Sequence, residues 1–492
     1  MSKTYYYVTT SIPYASGNPH IGNAFDSLYG DVVARYHKQL GDEVIFEAGA
    51  DEHGSKIYEK ALEAKQTPEA FIETVIPQIE QMHRLINSDY THFARTNSKQ
   101  HISIAQKLWK QMGEDIYKSA YNGWYCVGCE EYKTETEVKA NNGVCPLHNK
   151  KYEKLEEENY FFRLSKYSSK LEEVIESGEF EVVPSNRKTE ILNVIKGGLT
   201  DISISRPKKT LPWGIPVPGD TTQVMYVWFE ALMNYITVLD YPDGDDFKNF
   251  WPTNLQIVGK DNLRFHAAIY PAMLLSAKLP LLKKLFVHGH VTSAGKKMSK
   301  TIGNIVTTEE IVSKYGTDAF RYYFLRHVPS HDDGDFTWER FDAVYHGELA
   351  NELGNVVQRV SSMINRYQQG VIGDVPSPEH DTEPYHTAIN NCQFDRALEW
   401  VWDLVKGLNV FIEEEKPWQI AKESDETHLR EILASCVGDL NQIADLLLPF
   451  LPSTAETIKQ IFKEGYVHNY SGVLFPRIED DTTVKTDAKV AN

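Results

Sequence analysis

Short β-rich runs alternate with an amphipathic helical pattern at the start of the chain. Residues 5–10 and 43–48 have the apolar and aromatic composition of strands, and residues 25–36 between them carry apolar side chains at helical spacing. This order predicts a strand–helix–strand unit and therefore a parallel sheet. Further strands of the same sheet are predicted at residues 223–228, 255–258 and 286–291, so a later part of the chain is expected to complete the α/β domain.

From about residue 346 the pattern changes to long helices. Residues 347–369 carry apolar side chains at helical spacing, and helical segments continue through residues 385–465. This region is predicted to form an all-α helical bundle. The last residues, 481–492, are polar and are predicted to be disordered.

Length and composition indicate a multidomain globular protein. The 492 residues exceed what one hydrophobic core usually holds, and 41% of them are hydrophobic and 24% charged. Because no signal peptide and no bilayer-length apolar run is present, we expect a cytoplasmic protein without a membrane partner. The net charge of −18 argues against wholesale wrapping of nucleic acid, although a local basic patch could still contact RNA; no DNA partner is expected.

Three of the five cysteines fall in residues 116–222, a segment that interrupts the α/β pattern. Cys126 and Cys129 are separated by two residues, and Cys145 and His148 have the same spacing. Two such pairs supply four sulfur and nitrogen ligands for tetrahedral zinc. Four protein ligands leave no open coordination position, so the predicted zinc ion is structural.

Two short stretches have the residues that a nucleotide-phosphate site needs. Residues 13–23, P-Y-A-S-G-N-P-H-I-G-N, connect a predicted strand to a helix, whose N-terminus favours negative charge. His20 lies at this turn. Much later, K-K-M-S-K-T places Lys297 and Lys300 on a loop from which flexible ammonium groups can reach phosphates.

In this order, the two stretches resemble the HIGH and KMSKS signatures of class I aminoacyl-tRNA synthetases, and the residues between them narrow the resemblance to methionyl-tRNA synthetases. It covers about residues 4–470. It implies that ATP, with Mg²⁺, and methionine give methionyl-adenylate, and that the methionyl group then passes to the 3′-terminal adenosine of tRNA(Met). The implied catalytic residues are His20, Asn23, Lys297 and Lys300, and the implied ATP contacts add Gly22, Gly259 and Asp261.

The resemblance also implies a methionine pocket. Asp51, in G-A-D-E-H-G, corresponds to the aspartate that binds the α-ammonium group. The other implied pocket residues are Ile12, Tyr14, Trp228, Leu232, Tyr235, Asn262 and His266. The sequence departs from the family at Asn23, where a second histidine is usual, at Tyr270, where tryptophan is common, and at Asn262, where an aliphatic residue is common. The far wall of the pocket is therefore expected to be more polar than usual.

In the helical region, Asn355, Arg359 and Trp418 match the family's anticodon-reading positions. An unpaired base needs an aromatic plane for stacking and fixed donors for its edge, so the resemblance implies recognition of a CAU anticodon. Without the resemblance, Trp418 is better interpreted as a helix-packing residue.

The resemblance predicts a Rossmann-like catalytic domain with a zinc-binding insertion, followed by a helical anticodon-binding domain. The expected divisions are residues 1–115 and 223–290 for the catalytic halves, 116–222 for the insertion, 291–345 for the KMSKS loop and stem-contact region, and 346–480 for the helical domain.

Three alternative functions are another class I synthetase, a non-catalytic tRNA-binding protein on the same scaffold and a zinc-ribbon RNA-binding module. The leucyl, isoleucyl and valyl enzymes carry a much longer editing insertion than residues 116–222 can hold, and the cysteinyl enzymes need an open zinc position. A non-catalytic binder need not retain His20, Lys297 and Lys300. A zinc-ribbon RNA-binding module would leave most of the chain unexplained.

Overall fold

The computed structural model describes residues 3–478 except 18, 20, 127–130, 134, 147–148, 294, 298–305 and 469–472. The chain divides into two compact units. The first comprises the chain up to Val291 together with Ser330–Asp333, and the second comprises Thr292–Pro329 and the chain from Gly334 onward. Within the described residues, no helix combines the length and apolar composition needed to cross a bilayer.

The first unit contains strands and helices in alternation. Its strands are β1 Tyr5–Thr10, β2 Glu43–Ala50, β3 His92–Arg95, β4 Ile116–Cys126, β5 Glu131–Lys133, β6 Glu153–Phe162, β7 Glu181–Val183, β8 Ile202–Ser203, β9 Ser205–Pro207, β10 Pro216–Val217, β11 Asp220–Met225, β12 Leu255–Gly259 and β13 Lys284–His288. Its α-helices are α1 Ile21–Gln39, α2 Ser55–Glu63, α3 Pro68–Leu85, α4 Lys99–Met112, α5 Glu135–Ala140, α6 Ser168–Ser177, α7 Ser185–Lys196, α8 Val227–Ala231, α9 Asn234–Thr237, α10 Asp245–Phe250 and α11 Tyr270–Ser276. Lys260–Asn262 is a 3₁₀ turn, and Phe265–Ile269 is a π-helix.

Across the described part of the first unit, a central sheet has six parallel strands in the order β3-β2-β1-β12-β13-β7. Helix α1 lies close against this sheet because Gly30 has no side chain. A Cβ atom there would approach the Phe46 ring to 2.6 Å and Thr10 Cγ2 to 2.8 Å. The predicted parallel sheet is confirmed, and the carboxyl ends of its strands meet at one edge, where ligands bind in such folds.

Two strand predictions need correction. The run 223–228 does not join the parallel sheet: β11 ends at Met225 and pairs antiparallel with β9 and β10, and α8 begins at Val227. A short apolar run fits a buried strand or a buried helix equally well, so periodicity alone could not separate them. The run predicted as 286–291 ends as a strand at His288.

The segment predicted as an insertion forms mainly an antiparallel sheet in the order β5-β4-β6-β8, among the residues described there. Its longest pairing joins β4 to β6 from Ile116 opposite Phe162 to Tyr125 opposite Glu153. The same segment also contributes β7, which pairs with β13 at the edge of the central sheet.

The second unit is mostly helical where it is described. Its strands are β14 Val291–Ser293, β15 Lys296–Lys297 and β16 Gly334–Phe336, and its α-helices are α12 Thr308–Tyr315, α13 Thr317–Arg326, α14 Trp338–Val344, α15 Asn355–Gln368, α16 Glu383–Asn390, α17 Phe394–Glu415, α18 Pro417–Glu423, α19 Glu426–Leu447 and α20 Pro452–Ile461. The helix predicted at 347–369 is a π-helix, Tyr345–Gly354, that continues into α15. Trp402 of α17 is fully buried in this unit.

Candidate active site

The loops that follow β1 and β2 are joined by backbone hydrogen bonds. Asp51 N donates to Pro13 O at 2.9 Å, and Ala15 N donates to Asp51 O at 2.8 Å, so Tyr14 and Asp51 form a parallel bridge. A Cβ atom on Gly49 would lie 2.9 Å from Ile12 Cγ2, so the glycine allows the first loop to approach β2 closely. Asp51 is buried, with 2% of its surface exposed. The structure thus brings three predicted pocket residues, Ile12, Tyr14 and Asp51, to the carboxyl ends of adjacent strands.

The backbone beyond Asp51 is held by Glu52. Its carboxylate accepts from Asn97 N at 2.8 Å and pairs with Arg95, and its carbonyl oxygen accepts from Trp213 Nε1 at 2.7 Å. These bonds tie the loop to β3 and to the segment before β10. The pocket loop is therefore fixed from two sides.

His53 belongs to a buried cluster with Glu230 of α8 and His101 of α4. Glu230 Oε1 lies 2.8 Å from His53 Nδ1, and Glu230 Oε2 lies 2.9 Å from His101 Nε2. Burial alone would raise the pKa of Glu230, but the charge of His53 and the hydrogen bonds from both imidazoles outweigh it and lower that pKa. Burial would likewise lower the pKa of His53, but Glu230 outweighs it and raises that pKa.

A hydrogen-bonded wall is formed by Tyr235, His266 and Asn262. His266 Nδ1 lies 3.0 Å from Asn262 O, and its Nε2 lies 3.0 Å from the Tyr235 hydroxyl. Because a carbonyl oxygen only accepts, Nδ1 carries the proton and Tyr235 donates to Nε2. Burial lowers the pKa of His266 to about 4, so the imidazole is neutral at pH 7. His266 lies on the π-helix, an irregularity often found at functional sites.

The remaining predicted pocket residues lie on α8 and immediately after it. Trp228 stacks on Phe265, with ring centroids 4.3 Å apart and planes inclined by 16°. Leu232 is buried, and Trp228 is partly exposed. Helix α8 therefore presents an aromatic face beside the π-helix.

In the second turn of α1, Asp26 contacts His288 at the end of β13 and Ser11 immediately after β1. His288 Nε2, at the end of β13, lies 2.5 Å from Asp26 Oδ1, and the Ser11 hydroxyl donates to Asp26 Oδ2. Gly22 and Asn23 lie in the first turn of α1. The predicted phosphate-binding helix start is thus anchored to the edge of the sheet.

The turn after β12 carries Gly259 and Asp261. Gly259 is paired in register with His288, and Asp261 Oδ2 lies 3.1 Å from His290 Nε2. Lys260 instead pairs with Asp333 at 2.6 Å. Asp261 is exposed at this edge of the sheet, and its carboxylate can accept from a ligand hydroxyl.

Several predicted residues fall outside what the structure describes: His20, Lys300, Cys129 and His148, and the side chain of Lys297. Of the predicted zinc ligands, Cys126 and Cys145 are described. Both are buried in one small apolar cluster with Val138, Tyr152 and Trp124.

In the second unit, the structure brings Arg359 and Trp418 together. The Arg359 guanidinium carbon lies 5.9 Å from the centroid of the Trp418 ring, and Arg359 Nη2 lies 2.6 Å from Glu413 Oε1. Asn355, one turn earlier on α15, is exposed. The three predicted anticodon residues therefore lie on neighbouring helices α15 and α18.

Comparison with known proteins decides the family. A family model described as tRNA synthetases class I (M) matches residues 6–155 and 139–361. The chain is 38% identical to a methionine–tRNA ligase of Caldanaerobacter subterraneus over 97% of this chain and 80% of that protein. It is 39% identical to a methionine–tRNA ligase of Nostoc over 92% of this chain and 89% of that protein.

A solved structure agrees with these sequence comparisons. Mycobacterium tuberculosis methionyl-tRNA synthetase in complex with methionyl-adenylate superposes with a TM-score of 0.89 at 30% identity, covering 96% of this chain and all of that one.

The chain belongs to the class I methionyl-tRNA synthetase family.

The family prediction made from the two signatures is thereby confirmed. Sequence reasoning missed four polar side chains of this synthetase that lie next to predicted site residues: His53, Glu230, Asp26 and His288. Two of them lie two residues after predicted site residues in the sequence, since His53 follows Asp51 and Glu230 follows Trp228. Their pairing could be found only from the fold, because His53 and Glu230 are 177 residues apart.

Proposed function

We propose that the chain is a methionine–tRNA ligase that forms methionyl-adenylate from methionine and ATP and then transfers the methionyl group to tRNA(Met). The observation that carries the proposal is the neutral Tyr235–His266 wall near Asp51. An uncharged aromatic wall suits a thioether, and the Asp51 carboxylate suits an α-ammonium group. Tyr14, which forms a bridge with Asp51, packs against the same apolar cluster as Tyr235, in support of their belonging to one pocket.

Adenylate formation is an attack by the substrate carboxylate on the α-phosphorus of ATP. The protein's task is to position the two substrates and to stabilise charge on the phosphates. We assign the phosphates to His20, Lys297, Lys300 and the start of α1 with Gly22 and Asn23, and the nucleoside to Gly259 and Asp261. Mg²⁺ accompanies ATP as part of the substrate. Ile12, Tyr14, Trp228, Leu232 and Asn262 complete the amino-acid pocket.

The test of this function is ATP–pyrophosphate exchange with each of the twenty amino acids in turn. We expect methionine alone to support efficient exchange, because the other amino acids lack either the length or the polarisable sulfur that the pocket accommodates. Exchange that is fastest with leucine or cysteine would identify a different class I synthetase. Binding of tRNA without any exchange would identify a non-catalytic protein.

We further propose one structural zinc ion bound by Cys126, Cys129, Cys145 and His148. Burial of Cys126 and Cys145 in one cluster fits this donor set, since thiolates withdrawn from water need a cation partner. Natively purified protein is expected to contain one zinc per chain. The double substitution Cys126→Ala and Cys145→Ala should abolish it, whereas Cys392→Ala should not. Zinc retained in the double variant would contradict the assignment.

The helical region is proposed to read the CAU anticodon of tRNA(Met) through Asn355, Arg359 and Trp418. The proximity of the Arg359 guanidinium to the Trp418 ring supports a common surface that offers donors and a stacking plane. Residues 346–480 would then form the anticodon-binding domain, with residues 1–115 and 223–290 as the catalytic halves and 291–345 as the stem-contact region. The enzyme is expected to act in the cytoplasm.

Trp418→Ala is expected to lower charging of tRNA(Met) about tenfold to a hundredfold, because stacking on one base contributes ~1–3 kcal/mol. Methionine-dependent pyrophosphate exchange should stay within about twofold of wild type. Trp400, also partly exposed and near the start of α17, provides a matched control as Trp400→Ala. If Trp418→Ala keeps the full preference for CAU over a first-base variant, or loses stability as much as charging, then Trp418 is a packing residue.

A further inference from the structure

Asp26 of α1 is bonded to two strand ends that flank β12. In the central sheet, β12 lies between β1 and β13. The Ser11 hydroxyl, directly after β1, donates to Asp26 Oδ2, and His288 Nε2, at the end of β13, lies 2.5 Å from Asp26 Oδ1. One carboxylate on the helix is therefore bonded on both sides of the strand that ends at Gly259.

The His288 ring is held at both of its nitrogen atoms. The Gly289 carbonyl oxygen lies 2.7 Å from Nδ1 and can only accept, so Nδ1 donates to it, while Nε2 is bonded to Asp26. The ring also meets the Phe25 ring edge-on, with centroids 5.2 Å apart. Because only 3% of His288 and 6% of Asp26 are exposed, the bond between them is shielded from water and is costly to break.

The two partners of this bond lie next to the two halves of the proposed ATP site. Gly22 and Asn23 precede Asp26 by four and three positions on α1, so they share its face of the helix. Gly259 is in register with His288, and a Cβ atom on Gly259 would lie 3.6 Å from His288 Cε1. The bond therefore joins the helical turn assigned to the phosphates to the strand end assigned to the nucleoside.

We propose that Asp26 and His288 are positioning residues for ATP: their hydrogen bond holds the first turns of α1 at a fixed distance from the end of β12, so that phosphates and nucleoside are bound in the geometry that attack on the α-phosphorus requires. This inference rests on the proposed function, in which Gly22 and Asn23 contact the phosphates and Gly259 the nucleoside. Such positioning matters because a displacement of about 1 Å at the reacting atoms lowers a rate about 10²-fold.

The first test replaces Asp26 in two ways and follows methionine-dependent pyrophosphate exchange with varied ATP. Asp26→Leu removes both hydrogen bonds, so kcat/KM for ATP is expected to fall about 10²-fold. Asp26→Asn keeps an acceptor for Ser11 and offers an amide donor to His288 Nε2, so kcat/KM should stay within about threefold of wild type. The Kd for methionine, measured by equilibrium dialysis without ATP, should change less than about twofold in both variants.

Asp31→Leu is the matched control, because Asp31 is also a buried carboxylate of α1. It accepts from Arg35 Nε at 2.8 Å and from Asp89 N at 2.7 Å. Its replacement should lower the urea midpoint, as expected for a broken buried ion pair, but should leave kcat/KM for ATP within about twofold of wild type. With rates measured below the onset of unfolding of each variant, this control separates loss of stability from loss of positioning.

A double variant tests whether Asp26 and His288 act through their bond. His288→Phe keeps a ring beside Phe25 but removes the partner of Asp26, and kcat/KM for ATP is expected to fall about 10²-fold. The double variant Asp26→Leu with His288→Phe should lose no more than the poorer single variant, whereas independent effects would multiply. Ser11→Ala removes only the other hydrogen bond of Asp26 and should lower kcat/KM about tenfold, which supplies the measurement if Asp26→Leu does not fold.

Four results would overturn the inference. They are wild-type kcat/KM for ATP in Asp26→Leu, or in Ser11→Ala if Asp26→Leu does not fold; an equal loss in Asp26→Asn and Asp26→Leu; an equal loss in Asp31→Leu; and a multiplied loss in the double variant. Failure of methionine to support exchange in the wild type would instead refute the proposed function, so the two failures are distinguishable.

Discussion

Replacing Lys300 by alanine is expected to lower the rate of methionine-dependent pyrophosphate exchange about 10²–10³-fold, the usual effect of removing one preorganised transition-state contact. The ammonium group of Lys300, in K-K-M-S-K-T, would act on phosphate charge that develops as the α-phosphorus is attacked. Because that charge is greatest in the transition state, kcat should fall far more than methionine binding.

The matched control is Lys209→Ala, which removes an exposed lysine of the first unit from outside both signatures. It should leave exchange within about twofold of wild type, since isolated surface charges contribute little. Steady-state exchange with varied ATP and varied methionine separates kcat from the two KM values. A Lys300→Ala enzyme in which only KM for methionine rises would place Lys300 in substrate binding and outside the chemical step.

The fold was predictable where the local pattern allowed one interpretation. Residues 5–10 form β1 as predicted, because a short β-rich run bounded by turn residues fits a buried parallel strand. The run 223–228 was not predictable in this way. Its change from strand to helix between Met225 and Val227 accompanies the antiparallel pairing of β11 with β9 and β10, which the local pattern does not encode.

The residues of the candidate site were likewise only partly predictable from the sequence. Residues within motifs, such as Asp51, Tyr235 and His266, could be named from the sequence, because their motifs specify both residue type and position. The groups that surround these residues could not be named from the sequence. Glu47 follows three apolar residues of β2, and only the sheet register shows that Thr9 and Gln256 lie in the same row across the sheet. The contact of Arg359 with Trp418 similarly depends on how α15 and α18 pack.

Glu230→Gln is expected to lower the free energy of unfolding by about 3–5 kcal/mol, the usual cost of breaking a buried ion pair by removing one partner. Glu230 is 0% exposed and is bonded to two buried imidazoles, His53 and His101. The substitution keeps the volume of the side chain but removes the charge and one acceptor. Glu63→Gln is the control, because the Lys60–Glu63 pair is exposed and should contribute less than about 1 kcal/mol.

The pH dependence of this loss has a defined sign. The pKa of Glu230 is lowered from 4.5 by its partners, so its contribution is present above pH 4.5 and is lost as pH falls through the folded-state value. The pKa of His53 is raised from 6.5, so its contribution is complete below pH 6.5 and is lost as pH rises through its raised value. The difference in urea stability between wild type and Glu230→Gln should therefore be largest between these two limits. Parallel stability curves across the whole pH range would show that Glu230 and His53 do not form an ion pair.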